Sequence, residues 1–277
     1  MSANIDDVKD FWENNPLFTG ESEFEPGTLP FFEHHKDVYY KDVFADSFQR
    51  DKFLPKDQPT ERVLDLGCGI GFWTIEIQEF AKFAEYHSAD LTENALKITQ
   101  KRLEAYGMKG ELSQQNAEKM TFPDGYFGHV NCQGVIHHTP DTEATLKEIA
   151  RVLKPGGTAS ISVYYKNALL RNWKYISVFG KLLSALGGGL KGRGRESIFS
   201  ESDPNEITRL YDGNNNPLGK SYSKREICGM AEKYFNVEKT FLFFFPARAL
   251  PFKLSGAMHR FFDRNMGFMI HLNLIKK

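Results

Sequence analysis

The chain has 277 residues, 41% of them hydrophobic, and its 35 basic and 36 acidic side chains leave a formal net charge of −1. That length suits one large domain or one domain with a cap, and the charge balance lacks the basic footprint of a general nucleic-acid binder. No uninterrupted apolar stretch approaches the ~20 residues that a membrane-spanning helix requires, and the acidic opening MSANIDDVKD has no apolar signal core, so a cytoplasmic protein without a transmembrane span is expected. Cys68, Cys132 and Cys228 are far apart and form no CxxC pair, which predicts reduced thiols and no metal site.

In chain order, residues 1–60 read as an N-terminal helical cap. A short helix over 6–14, carrying Phe11 and Trp12, ends at Asn15-Pro16, because proline cannot continue a helix. Residues 15–30 hold Pro16, Gly20, Pro26, Gly27 and Pro30 and predict a loop, whereas the 3–4 spacing of apolar residues over 31–53 predicts one helix. Residues 61–165 form the core: strands over 62–66, 84–89, 111–115, within 126–136, and over 158–164. The helices between them span 72–80, 92–106 and 141–153, with a tight turn at Lys154-Pro155-Gly156-Gly157. Short alternating strands and helices predict a largely parallel sheet covered on both faces.

Residues 166–222 interrupt that rhythm and read as a lid or substrate insertion, with a helix over 169–186, a glycine-rich stretch (Gly187, Gly188, Gly189, Gly192, Gly194) and further loop from Pro204 to Gly219. The basic run from Lys191 to Arg195 reads as solvated surface or, less simply, as an anion contact. Residues 223–277 return to the core, with a capping box at Ser223 and Glu226, strands over 237–245 and 268–274, and a helix over 250–262.

The most informative segment is VLDLGCGIG, residues 63–71. An apolar strand ends in glycines at alternate positions, so the main chain turns sharply and approaches a ligand where any Cβ would clash. Asp65, Gly67, Cys68, Gly69 and Gly71 are therefore candidate cofactor contacts. Asp90, 19 residues after Gly71, is placed to accept hydrogen bonds from two ribose hydroxyls, or else to cap the following helix. Leu91 offers an apolar neighbour, Asn116-Ala117-Glu118 can frame an adenine ring, and Gln133 lies at the exit of the fourth strand.

With GVIHHTPD and the RVLKPGG run at 151–157, these motifs resemble the class I S-adenosylmethionine-dependent methyltransferases, in the small-molecule subgroup compared with ubiquinone/menaquinone and sterol C-methyltransferases. The resemblance covers about residues 60–165. It implies a Rossmann-like α/β fold with a mostly parallel seven-stranded sheet, S-adenosyl-L-methionine as cofactor and S-adenosyl-L-homocysteine as product. The glycine motif would bind the donor and Asp90 its ribose. Asn116 departs from the family's acid at that position. A dinucleotide oxidoreductase would account for the glycine turn alone, but not for the two later motifs.

A sulfonium methyl group is already activated, so holding an acceptor in line and excluding water supplies much of the catalysis. His137, His138 and Tyr164 are the candidate catalytic groups. Either histidine can take a proton near neutral pH or simply pack beside the cofactor. Trp12, Phe18, Tyr39, His138, Tyr164 and Tyr165 are candidate substrate contacts, with His34 and His35 further options. The 24 phenylalanines, many outside the core repeat, predict a partly apolar small-molecule acceptor. A non-catalytic S-adenosylmethionine-binding regulator and a protein or RNA methyltransferase are the other readings. A monomer or homodimer is expected, with a small molecule rather than nucleic acid as partner.

Overall fold

The computed structural model describes residues 3–185, 200–250 and 252–277. The glycine-rich stretch at 187–194 and the basic run at 191–195 lie outside the described residues. The N-terminal part holds α1 (Ile5–Asn14), α2 (Leu29–Val38), a π-turn (Tyr39–Val43) and α3 (Arg50–Phe53). The core then alternates β1 (Gln58–Leu66), α4 (Phe72–Phe80), β2 (Phe83–Asp90), α5 (Glu93–Ala105), β3 (Glu111–Gln114), β4 (Phe127–Gln133), α6 (Thr142–Val152) and β5 (Leu153–Tyr165). After it come α7 (Ala168–Arg171), α8 (Trp173–Ala185), α9 (Pro204–Asp212), β6 (Ser221–Tyr222), α10 (Lys224–Ala231), β7 (Phe235–Phe243), α11 (Gly256–Met266) and β8 (Met269–Lys276).

The sheet runs β3-β2-β1-β4-β5-β8-β7, with β6 paired to β5. The pairs from β3 through β5 are parallel, and β8 is antiparallel to both β5 and β7. Eight strands thus replace the seven expected. The extra one is a two-residue segment beside Tyr164 and Tyr165, too short to leave a period in the sequence. It pairs where β4 has already turned away, its own register with β5 ending at Gln133–Ser162.

Side-chain alternation along each strand sends successive residues to opposite faces. Leu64, Leu66, Val130, Cys132, Ile161 and Val163 pack on one face with Ile149 of α6 and Ile227 of α10. Val63 and Tyr164 pack on the other with Phe72 and Trp73 of α4, Phe44, Phe53 and Leu210 of α9. The single helix expected over 31–53 is broken: Ala45 and Asp46 adopt φ of 50° and 53°, and Phe44 stacks on Phe48 at 4.3 Å. Burying these rings against α4 outweighs continuing the helix. Residues 204–212, expected as loop, form α9: Pro204 occupies the first helical turn, where its missing N–H is not needed, and Asp203 caps it. The helix expected over 250–262 starts later, at Gly256, capped by Ser255. Among the described residues no helix is long and apolar enough to cross a membrane.

The N-terminal helix is latched to the core. The Thr92 side chain does not cap α5, because its hydroxyl donates to Asp90 Oδ1 at 2.8 Å. The first-turn amides of Glu93 and Asn94 instead donate to Glu13 of α1, at 2.8 and 3.1 Å. Glu13→Ala should cost about 1 kcal/mol of local stability, the usual size of a helix-cap loss. Hydrogen exchange would read it as faster exchange at Glu93, Asn94 and across α1; unchanged protection would remove Glu13 as the cap.

Candidate active site

The turn between β1 and α4 is held by three glycines, Gly67, Gly69 and Gly71, at φ of 72°, 53° and 79°, a region that favours residues without a Cβ. Two of them have distinct reasons. A Cβ on Gly67 would lie 2.2 Å from Val135 Cγ2, whereas a Cβ on Gly69 would meet no atom within 4 Å. The first glycine lets two loops close, and the second faces open space. Gly134, at φ 76° on the β4 exit, faces open space in the same way.

That space is a cavity lined by Gly67, Gly69, Asp90, Leu91, Asn116, Ala117, Gln133 and Gly134 from the strand ends, with Trp12 and Val8 of α1 and His138 over it. Asp90 Oδ2 accepts from Gly69 N at 2.9 Å, and its Oδ1 from Thr92 N at 3.0 Å. Burial pushes its carboxyl upward, opposed by these backbone hydrogen bonds. The lining is mostly apolar with a few convergent polar groups, the usual character of a small-molecule site. An aromatic base, a ribose and a short charged chain match that mix, and the cradles at Gly69 and Gly134 leave room for them. Among the described residues no cluster of His, Cys, Asp and Glu is placed to hold a metal ion.

Four of the residues expected on the cofactor stand behind this wall. Asp65 is buried, its oxygens accepting from Thr74 Oγ1 at 2.7 Å and Asn131 Nδ2 at 2.8 Å. Burial pushes it up to about 6 in spite of those bonds. Cys68 is buried 3.7 Å from Thr99 Oγ1, and burial raises its thiol well above the usual value. Gly71 forms the N-cap of α4, and Glu118 turns away to accept from Asp141 N at 2.6 Å.

A second cavity adjoins the first and shares Trp12, Leu17, Gln133, Gly134 and His138 with it. It brings together Trp12, Phe18, Tyr39, His137, His138 and Tyr164, drawn from α1, the loop after it, the π-turn, the β4 exit and β5. His35 also lines it, buried and neutral. Tyr165 does not join them. It follows Tyr164 by one residue, so the alternation of β5 turns it to the other face, against the α6 and α10 side.

His137 is buried, with its ring 4.2 Å from that of Tyr164 and its Nδ1 without a hydrogen-bond partner among the described residues. Burial, with the His138 and Lys220 charges, holds it well below the ordinary histidine range. The loop bearing both histidines is fastened by Lys220, whose Nζ donates to Thr139 O at 2.8 Å and Pro140 O at 2.7 Å. Sequence reading missed Asp212, whose Oδ1 accepts from the Tyr164 hydroxyl at 2.8 Å. Its only signal was its position at the end of α9, in a stretch read as loop. Trp73 and Phe244 of the second cavity were likewise unforeseen.

A sheet of this order with its cavity at the carboxyl ends of β1, β2 and β4 defines a nucleotide-type cofactor site. A methyltransferase-domain profile matches residues 63–157. The demethylmenaquinone methyltransferase of Bacillus cereus (strain ATCC 10987 / NRS 248) is 31% identical over 170 residues, 55% of this chain and 72% of that protein. That of Bacillus licheniformis is 39% identical over 95 residues, 34% of this chain and 40% of that protein. The structures of S-adenosylmethionine-dependent methyltransferases from Thermotoga maritima (17% identity, TM-score 0.56, covering 98% of this chain and 100% of that one) and Aquifex aeolicus (14%, 0.54, 91% and 99%) share the fold. The chain belongs to the class I S-adenosylmethionine-dependent methyltransferases, enzymes whose cofactor is S-adenosylmethionine. Within that class it resembles the menaquinone methyltransferases.

Asp65 carries a pH signature. Its folded value, about 6, stands above the ordinary carboxyl value of 3.8, so folding favours the protonated form. The stability it supports is full below about pH 4 and is lost as pH rises through 6. Asp65→Asn should therefore gain on wild type by up to roughly 3 kcal/mol between pH 3.5 and 7, read from urea unfolding at both pH values. A constant difference would show that Asp65 keeps an ordinary carboxyl.

Proposed function

We propose that this enzyme transfers the methyl group of S-adenosylmethionine to a partly apolar small molecule held in the second cavity, by in-line displacement. The observation that carries this reading is the junction of the two cavities at Trp12, Leu17, Gln133, Gly134 and His138. A donor in one and an acceptor in the other would meet there. When bound, S-adenosylmethionine supplies an activated methyl carbon on a positively charged sulfur that leaves as a neutral sulfide.

The chain's own residues then have defined tasks. Asp90 accepts ribose hydroxyl hydrogens, while the main chain at Gly69 and Gly134 leaves room for the amino-acid portion. Leu91 and Ala117 flank the adenine, and Asn116 offers a polar contact to its edge. Asp65 acts from behind, tying the turn to α4 and β4. Trp12, Phe18 and Tyr39 from residues 1–60, the cap, exclude water from the acceptor, as does Tyr211 from residues 166–222, the lid. Gln133 spans both cavities, and its amide donates to Asn131 Oδ1 and Ser160 O, which fixes its orientation. The aromatic walls favour a ring-bearing acceptor, and the name of the Bacillus relatives makes a reduced demethylmenaquinone the first compound to test.

Incubation with methyl-labelled S-adenosylmethionine and cell extract, separated into polar metabolites, lipids, protein and RNA, is expected to place label in a small-molecule or lipid fraction. Label confined to protein or RNA would overturn the small-molecule assignment. Asp90→Asn should weaken donor binding about 10-fold in calorimetry, the size of one hydrogen bond to a charged group. Unchanged affinity would remove Asp90 from the donor site.

A further inference from the structure

Asp212, the last residue of α9, lines the second cavity. The Tyr164 hydroxyl donates to its two oxygens, at 2.8 and 2.9 Å. Its Oδ2 also lies 3.4 Å from His138 Nε2, a loose contact of the kind that tightens when a substrate closes the site. On the other side of the same ring, His138 Nδ1 is 2.7 Å from Leu218 O. A carbonyl oxygen only accepts, so Nδ1 carries the hydrogen and Nε2 is the basic atom. Lys220 N donates to His137 O at 3.1 Å. One short run of chain, 212–220, thus supplies a partner for each nitrogen of His138 and holds the loop that bears it. His138 is also the titratable side chain of the pair 137–138 that lines both cavities.

We propose that Asp212 and His138 form the proton-accepting pair of the transfer, with Tyr164 positioning the carboxylate, and that the acceptor is a compound whose methylated atom gives up a hydrogen, such as a ring hydroxyl or a ring carbon of a hydroquinone. This rests on the methyl-transfer reading above. In the step, the bond between hydrogen and the attacked atom breaks and the proton goes to His138 Nε2. At a ring hydroxyl the electron pair left on oxygen forms the bond to the methyl carbon; at a ring carbon a π pair of the ring forms that bond, and the pair of the broken carbon–hydrogen bond restores the ring. In both cases the carbon–sulfur pair leaves with sulfur. Positive charge disappears from sulfur and appears on the imidazole, beside the Asp212 carboxylate, where a charge-assisted hydrogen bond holds it. Tertiary amines and thioethers, which have no hydrogen to lose, make no use of this pair. His137 is unsuited to the task because its full burial opposes a positive charge.

Asp212→Asn tests the pairing. The amide keeps an oxygen for Tyr164 but turns an NH₂ toward Nε2 and occupies its lone pair. With a dihydroxynaphthalene and the wild-type-labelled fraction as acceptors, kcat should fall about 100-fold, the lower end for a lost general base. S-adenosylmethionine affinity by calorimetry should stay within about twofold, less than one net hydrogen bond. His138→Asn should lose a similar amount, and the double variant no more than His138→Asn alone, since groups that act as a unit are not additive. Losses that multiply would overturn the pair. Independently of any acceptor, nitrogen-15 histidine spectra should show the hydrogen on Nδ1 of His138 and a displaced Nε2 resonance in Asp212→Asn; an unmoved resonance would also overturn it. Absence of transfer by wild type to every fraction would instead overturn the methyl-transfer reading, a result the spectra keep distinct from the pairing.

Discussion

The pairing of β1 with β2 on one side and β4 on the other, spanned by the 2.8 Å hydrogen bond from Asn131 to Asp65, is the constraint from which the site develops. Chain connections leave β1 and β4 in opposite directions at that point, so a crevice opens beyond their carboxyl ends. The Asp65 carboxylate also takes the Thr74 hydroxyl of α4. A single buried group therefore fixes the strand, the helix after the glycine turn and the neighbouring strand relative to one another. Its burial is unfavourable for the charged form, and the two donors offset part of that penalty.

From this fixed edge the structure builds outward in two layers. The first is the glycine-lined cavity, closed by α1 through a carboxylate that caps α5. The Thr92 hydroxyl bonded to Asp90 and the Glu13 carboxylate on the adjoining amides couple the closure of α1 to the placement of the acid beside the cavity. The second is the aromatic cavity, whose far wall comes from α9 and the segment returning to β6. Closely packed rings such as Phe44, Phe48, Phe53 and Trp73 support that wall. Aromatic pairs in these offset and edge arrangements contribute beyond the area they bury, which explains why the regular helix expected over 31–53 gives way there.

Much of the fold was legible before any coordinates. The alternating apolar strands and helices, the glycine turn, the capping box at Ser223 with Glu226, and the acid after the second strand are local features, and local features leave local patterns. The same holds for Trp12, Tyr39, His138 and Tyr164, which the structure gathers at one cavity. What misled was equally local. Pro204 read as a break although it starts a helix, and Tyr165 read as a neighbour of the site although a strand turns alternate residues to opposite faces. The Asp65 carboxylate read as a contact, but it lies behind the wall.

The sequence by itself determined the order of strands and helices over the core at 61–165, the turn that must lack side chains, and the cofactor class, because each motif depends on residues within a few positions of one another. Only the tertiary structure decided which groups face each other across the second cavity. Asp212 meets Tyr164 and His138 from 48 and 74 positions away, and Glu13 meets Glu93 from 80. Such contacts depend on how α1 and α9 pack against the sheet edge. That packing is set by non-directional burial of apolar surface summed over many residues, which no short run of sequence records.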